Sequence, residues 1–235
     1  MYPDFVIVVP PVAALWDLDG LIFDTEPIYD ALFQDYAVVT IGARMPEEKF
    51  REMRARMFGS TVLDSARILH ETLGLTDPPE VHVQWRETYN LEGRFREQTA
   101  VLPGVRKVLT RLQEAGMPLA LATSSPRRML KAKAARHPWL WDVFGDNIVT
   151  GDEVTNGKPD PELFVTAAEK LGVPREDFGR VLVFEDAPNG VAAAKTAGMK
   201  VIAVPYPLLD RSLMVEADQV LGSLEDFDPE EWGIR

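Results

Sequence analysis

The sequence contains no cysteine. Disulfide bonds and thiol catalysis are therefore excluded, and the absence fits a reducing compartment. Histidine is nearly as scarce. His70, His82 and His137 lie far apart with no mutual spacing, and no serine stands in a persuasive pairing with any of them, so all three read as incidental. No apolar run approaches the ~20 residues that a membrane-spanning helix needs. The first 16 residues are fairly apolar, but they carry no basic leading segment and are interrupted by Pro10-Pro11, unlike a signal peptide. A soluble, cytoplasmic protein is expected. Positive charge is also in deficit, with 25 Lys and Arg against 37 Asp and Glu, a net charge of −12. That argues against nucleic-acid binding through a broad basic face. A small anionic substrate stays open, because a local site can oppose the overall sign.

The 235 residues suit one large domain, or a main domain with a smaller insert, and 46% hydrophobic residues suffice for a full core. No internal repeat or low-complexity tract is present. Short continuous apolar runs occur at Val12–Trp16, Pro118–Ala122, Val181–Phe184 and Val201–Val204, with a weaker one at Asn147–Thr150. Such runs suit strands covered on both faces, as in parallel sheets. Helical patterns alternate with them. Val105, Val108, Leu109 and Leu112 follow helical spacing, with Gly116 as a stop. Asp160-Pro161-Glu162 has the form of a helix start, followed by an apolar face (Leu163, Phe164, Ala167, Ala168, Leu171) that Gly172 closes. A further helix is expected from about Asn189 to Thr196. Alternating strands and helices mean a parallel α/β sheet with right-handed crossovers.

The segment from about Pro27 to Thr99 differs: it holds helix formers and many charges but no clear strand. One helix is expected to end near Gly74, Thr76-Asp77-Pro78-Pro79 is a break, and Val81–Phe95 reads as another helix. Pro103-Gly104 announces the return to the α/β pattern. The segment reads as a helical insert above the end of the first strand, giving a core of residues 1–26 and 100–235 and an insert of 27–99. An insert placed there closes over a substrate or simply stabilises the fold; its sequence does not separate the two.

Ligands of open parallel sheets bind at the carboxyl ends of strands. Asp17 and Asp19 follow the first run, Thr123-Ser124-Ser125 the second, Lys158 the weaker run, and Glu185-Asp186 the third. Each has a plain alternative: an Asp-Gly turn, a helix cap, a surface charge, a polar turn. Together the alternatives require four coincidences. Asp17, Asp19 and Asp186 cannot crowd without a cation, and a hard divalent ion with oxygen ligands, usually Mg²⁺, relieves the repulsion. The Thr123 hydroxyl, neighbouring backbone N–H groups and the Lys158 ammonium suit an anion with tetrahedral oxygens. Carboxylates, a metal and an anion cradle describe phosphoryl transfer, and without cysteine a carboxylate is the expected nucleophile.

These residues carry a family resemblance. Asp17-Leu18-Asp19-Gly20, Thr123 at a strand end, Gly157-Lys158-Pro159-Asp160-Pro161 and Glu185-Asp186 resemble, in order, the four motifs of the haloacid dehalogenase-like (HAD) superfamily. The resemblance spans essentially the whole chain and implies a Rossmann-like core with a helical cap. Asp17–Glu26, Leu119–Ser125 and Val183–Val191 are similar to the GS1-like branch, which includes pseudouridine-5′-phosphatase and neighbours β-phosphoglucomutase and sugar phosphatases. By resemblance, Asp17 is the nucleophile that forms an aspartyl-phosphate, and Asp19 handles the leaving-group and water protons. Mg²⁺ is held by Asp17, Asp186 and the Asp19 carbonyl, with Glu185 beside it directly or through water. Thr123, Ser124 and Lys158 bind phosphoryl oxygens.

The implied function is a Mg²⁺-dependent phosphatase of a small sugar or nucleoside monophosphate, pseudouridine 5′-phosphate being the leading named substrate. The expected state is a monomer with a small phosphorylated metabolite as its only partner. A phosphosugar mutase and a non-catalytic metabolite-binding protein are the alternatives. By resemblance Met57-Phe58-Gly59-Ser60 faces the site, but the basic residues some relatives carry after the glycine are replaced by Ser60 and Thr61. Asp24 and Glu26 read either as substrate or hinge contacts or as acids at a helix start. Arg127 and Arg128 read either as anion contacts or as an exposed helix start, and Trp139 and Trp141 as packing.

Overall fold

The computed structural model describes residues 9–57, 61–207 and 209–235. In chain order the elements are β1 (Ala13–Trp16), β2 (Phe23–Asp24), α1 (Glu26–Ile41), α2 (Glu47–Met57), α3 (Val62–Leu73), α4 (Glu80–Thr88), α5 (Leu91–Gln98), β3 (Ala100–Val101) and α6 (Val105–Glu114). There follow β4 (Leu119–Thr123), α7 (Arg127–Lys133), α8 (Trp139–Phe144), β5 (Ile148–Thr150), α9 (Glu162–Lys170), β6 (Val181–Glu185), α10 (Pro188–Thr196), β7 (Lys200–Ala203) and β8 (Gln219–Val220).

Six strands form one sheet in the order β5-β4-β1-β6-β7-β8, and every pairing is parallel. β1 is central, and the chain builds outward from it first to one side and then to the other. The crevice at such a reversal, outside the carboxyl strand ends, is where open α/β sheets bind ligands. All five apolar runs are strands, within a residue at each end. Their side chains divide by the twofold period of a strand. Ala14, Trp16, Leu119, Leu121, Leu182 and Phe184 face one layer, which contains Val105, Val108, Leu109 and Leu112 of α6 together with Leu140 and Phe144 of α8. Ala13, Leu15, Ala120, Ala122, Val181 and Val183 face α9 and α10 on the other side. Trp16 stacks on Phe184 across the β1–β6 pair, with ring centroids 4.2 Å apart. Burying an apolar side chain of this size contributes roughly 1.5–3 kcal/mol.

The helices α1 to α5 lie between β1 and β4 in the chain and have their own apolar centre. Ile28, Leu32, Phe33, Tyr36, Phe50, Met53, Leu69, Leu91 and Phe95 form it, joined by Ala132 of α7. The block leaves and rejoins the rest of the molecule through β2 and β3, which pair antiparallel, Phe23 opposite Val101 and Asp24 opposite Ala100.

α3 ends on a left-handed Gly74, and Asp160 accepts the Glu162 N–H at the start of α9, 2.9 Å away, as expected. The single helix expected over Val81–Phe95 is instead two. Asn90 adopts a left-handed conformation (φ 55°) and its side chain accepts the Gly93 N–H at the start of α5. Asparagine tolerates this region better than other non-glycine residues, and without a Gly or Pro the break has no strong mark in the sequence. Phe58, Gly59 and Ser60 lie outside the described residues.

Candidate active site

β1 stays zipped to β6 as far as Asp17, whose N–H donates to the Phe184 carbonyl at 3.0 Å. The chain then closes a tight loop. The Leu18 carbonyl accepts from Ile22 and Phe23 at 3.0 and 2.9 Å, and the Gly20 N–H donates to the Phe23 carbonyl at 2.9 Å. Gly20 sits at φ +78°, and a Cβ there would run into the Asp186 carboxylate. The Asp-x-Asp-Gly pattern thus has a steric reason: only glycine permits the loop after β1 to pass this close to the loop after β6.

Three strand ends and one long loop converge here. Lys158 donates to Asp17 Oδ1 at 2.6 Å, Glu185 Oε1 at 2.7 Å and the Ala122 carbonyl at 3.3 Å. Glu185, at the end of β6, uses its other oxygen to accept the Asp186 and Ala187 N–H groups, both at 2.7 Å. Gly190 makes room for it, since a Cβ there would collide with the Glu185 carboxylate. Burial pushes the Asp17 carboxyl up to about 7; Glu185 and Asp19 add to this and Lys158 opposes it. Burial, Glu185 and Asp17 hold Asp186 well above the usual carboxylate range. Burial works against the Lys158 ammonium, but Asp17 and Glu185 outweigh it and hold its pKa above the usual lysine range.

The donor set fits a hard cation. Asp17, Glu185 and Asp186 each present an oxygen within 4.8 Å of the others'. Among the described residues the Asp186 side chain makes no hydrogen bond or ion pair, although only 7% of the residue is exposed. A buried carboxylate without a partner, in a group with only one ammonium for three acids, is the electrostatic setting that a divalent ion with oxygen ligands relieves.

Asp19 stands apart from this group. Its Oδ1 accepts from Lys133 at 2.6 Å and its Oδ2 from the Ser125 hydroxyl at 2.7 Å, while Lys133 also donates to Ser125 Oγ at 2.7 Å. Thr123 is fully buried; its hydroxyl turns back on its own loop to accept the Ser125 N–H at 3.0 Å, and it does not line the cavity above the site. Ser124 does line that cavity, as do Asp17, Asp19, Lys158, Glu185 and Asp186. The cavity measures about 240 Å³ and is roofed by Glu26 at the start of α1 and by Tyr29, Phe33, Arg54 and Arg86 of the helical block. Glu26 and Arg54 form an ion pair, and Arg54 also donates to Asp30 at 2.6 Å. Arg86 meets no carboxylate among the described residues; its guanidinium lies 5.9 Å from the centre of the Tyr29 ring.

Asp17, Asp19, Ser124, Lys158, Glu185 and Asp186 thus surround one cavity; Ser125, expected only as part of the turn after β4, meets Asp19, and Lys133 and Arg86 join the surroundings with no mark in the sequence. The Ser125–Asp19 contact spans 106 residues and the Lys133–Asp19 contact 114, and no local pattern encodes either. Of the residues with two readings, Glu26 faces the cavity. Arg127 pairs with Glu153 at 2.7 Å and Arg128 with Glu92 at 3.4 Å, and neither lines it. The histidines are not all scattered: His70 and His82 meet at Tyr36, whose hydroxyl lies 3.1 Å from His70 and whose ring centre lies 4.4 Å from that of His82.

Known proteins are similar to this chain over most of its length. A (DL)-glycerol-3-phosphatase 2 of Arabidopsis thaliana is 36% identical over 222 residues, 94% of this chain and 90% of its own. A Drosophila melanogaster protein provisionally named a pseudouridine-5′-phosphatase is also 36% identical over 222 residues, covering 94% and 93%. A crystal structure of a HAD family hydrolase from Deinococcus radiodurans, with phosphate and sodium bound, superposes with a TM-score of 0.76 at 26% identity, covering 96% and 97%. The sequence model for haloacid dehalogenase-like hydrolases matches residues 12–198, from the start of β1 to the end of α10. With the acids of β1 and β6 and the lysine between them all inside that match, the chain belongs to the haloacid dehalogenase-like hydrolases.

Proposed function

We propose that the protein is a Mg²⁺-dependent phosphatase that hydrolyses small phosphomonoesters through a phosphorylated Asp17. The observation that carries this reading is the convergence of Asp17, Lys158, Glu185 and Asp186 at the carboxyl edge of the sheet, with Asp19 one turn further on. In the first step an Asp17 oxygen attacks phosphorus and the bond from phosphorus to the ester oxygen breaks. The departing alkoxide takes its proton from Asp19. In the second step water attacks the same phosphorus and gives its proton to Asp19. The bond to Asp17 breaks and inorganic phosphate leaves. Lys158, Ser124 and the loop after β4 supply donors for the phosphoryl oxygens, and Thr123 holds that loop in shape. Asp17, Asp186 and Glu185 would hold Mg²⁺, with the Asp19 carbonyl beside them; the ion supplies positive charge against the phosphoryl oxygens.

The helical block, residues 27–99, serves in this reading as a cap over a core of 1–26 and 100–235. A cavity of about 240 Å³ is small beside the roughly 300–1,000 Å³ typical of ligand pockets, which favours a compact substrate. The roof sets Arg86, Ser65 and the Glu26–Arg54 ion pair beside Tyr29, Phe33, Met57 and Val62, which suits a leaving group that offers both hydroxyls and an apolar face. Sugar, polyol and nucleoside monophosphates are the class, and glycerol 3-phosphate and pseudouridine 5′-phosphate, suggested by the relatives' names, are the first compounds to assay.

The test is phosphate release from a panel of monophosphates by purified protein. Turnover requires added Mg²⁺ and stops with excess EDTA. Asp17→Asn lowers it by at least roughly three orders of magnitude while leaving the circular dichroism spectrum unchanged. Activity retained in Asp17→Asn removes Asp17 as nucleophile, and an undiminished rate in EDTA removes the metal.

A further inference from the structure

We infer that Lys133, the last residue of α7, is a positioning residue for Asp19. The inference rests on the proposed role of Asp19 as the group that protonates the leaving oxygen.

Lys133 is fully buried, while a quarter of the Asp19 side chain is exposed towards the cavity. The lysine is enclosed from two directions. On the core side its ammonium donates to Asp19 Oδ1 and Ser125 Oγ, at 2.6 and 2.7 Å. On the helical-block side the ring centre of Phe95, from α5, lies 4.6 Å from the ammonium; that of Tyr29, from α1, lies 5.9 Å away, and the Tyr29 side chain also hydrogen-bonds the ammonium. Cations favour the faces of such rings, most strongly where water is excluded.

The geometry fixes a plane. Lys133, Ser125 and Asp19 form a closed triangle of hydrogen bonds with one contact to each carboxylate oxygen. A carboxyl group on the two-bond side chain of aspartate, at the tip of a loop, would otherwise rotate; two donors on two different oxygens remove that rotation. The residue that must meet the leaving oxygen is thereby aimed from below by α7 and the loop after β4. Because Lys133 is gripped by rings of the block that roofs the cavity, the aim of Asp19 depends on how that block sits.

A buried ion pair can also be purely structural, so the test must separate aiming from folding. The reference is Asp19→Asn, assayed on two substrates. Glycerol 3-phosphate has an alkoxide leaving group that needs a proton; 4-nitrophenyl phosphate has a stabilised phenolate that does not. The value of kcat/KM reports only the steps up to departure of the alcohol. With Lys133→Met, kcat/KM on glycerol 3-phosphate falls roughly 10²-fold or more, the scale of a lost general acid, and on 4-nitrophenyl phosphate by less than about tenfold. Ser125→Ala, which removes the second arm of the triangle, shows the same bias to a smaller degree and carries the test if Lys133→Met does not fold. Equal losses on both substrates, or no loss, in a background where Asp19→Asn is strongly biased towards the aryl ester, overturn the role of Lys133. If Asp19→Asn itself shows no bias, the proton-donor role of Asp19 falls, and the inference falls with it.

Discussion

Gly20 decides whether two loops can meet. Its backbone is left-handed at φ +78° and its missing Cβ leaves space that the Asp186 carboxylate occupies. Gly20→Ala imposes about 1–2 kcal/mol of backbone strain and also displaces a carboxylate from the acidic cluster. The expected result is a lowered melting temperature together with a rise in the Mg²⁺ concentration needed for half-maximal rate. A fall in stability alone, with unchanged Mg²⁺ dependence, would mean that Asp186 has moved elsewhere without consequence. The importance of this glycine was legible in the sequence, because two acids and a glycine at the end of an apolar run make a compact local signal. Asp186 became legible in the same way, at the end of Val181–Phe184. Lys133 did not: it is one of two lysines on a short helix, and only the fold distinguishes it from the exposed Lys131.

At the scale of elements, the strands were the most readable part, because both faces of the sheet are covered and the inner strands are apolar up to the polar residues at their carboxyl ends, Thr123 and Glu185. The two-residue strands β2, β3 and β8 were not readable, since two residues carry no period. The helical block was read as helical, but its internal packing was hidden. There α4 inserts His82 between Phe33, Tyr36 and Trp85. The imidazole is fully buried, and among the described residues neither ring nitrogen has a hydrogen-bond partner. Burial first, then Arg86 and His70, push its pKa down to about 3. Below pH ~6.5, the ordinary histidine value, the unfolded chain takes up a proton that the folded chain refuses. Stability therefore falls as pH drops from ~6.5 towards 3, by at most about 1.4 kcal/mol per unit. His82→Phe keeps an aromatic ring in the same place and titrates nothing. Its stability relative to the parent, followed by urea denaturation, should improve from pH 7 to pH 5 by up to about 2 kcal/mol; a constant difference would show that His82 is protonated in the fold.

For the whole molecule, the surplus of acid reaches the buried site, where Asp17, Glu185 and Asp186 face one ammonium, that of Lys158. Asp17 and Asp186 keep their protons to higher pH in the fold than in the unfolded chain, so without a cation the fold loses stability as pH rises from the usual carboxylate range through about 7. A cation that binds only the folded form reverses this. Mg²⁺ should raise the melting temperature more at pH 7.5 than at pH 5, and Asp186→Asn should remove most of that difference; a shift independent of pH would place the ion away from these acids. The arrangement of parts has a separate consequence. β2 and β3 carry the chain out to the helical block and back again side by side. The block is therefore a plug-in: the two cut ends that its removal would leave are neighbours, which one reverse turn could join. A block of another size could leave and return at the same two strands without re-threading a single strand of the six-stranded sheet. A replacement cover would keep the threading of the sheet, but it would also have to hold Lys133, and through it Asp19, as Phe95 and Tyr29 do here.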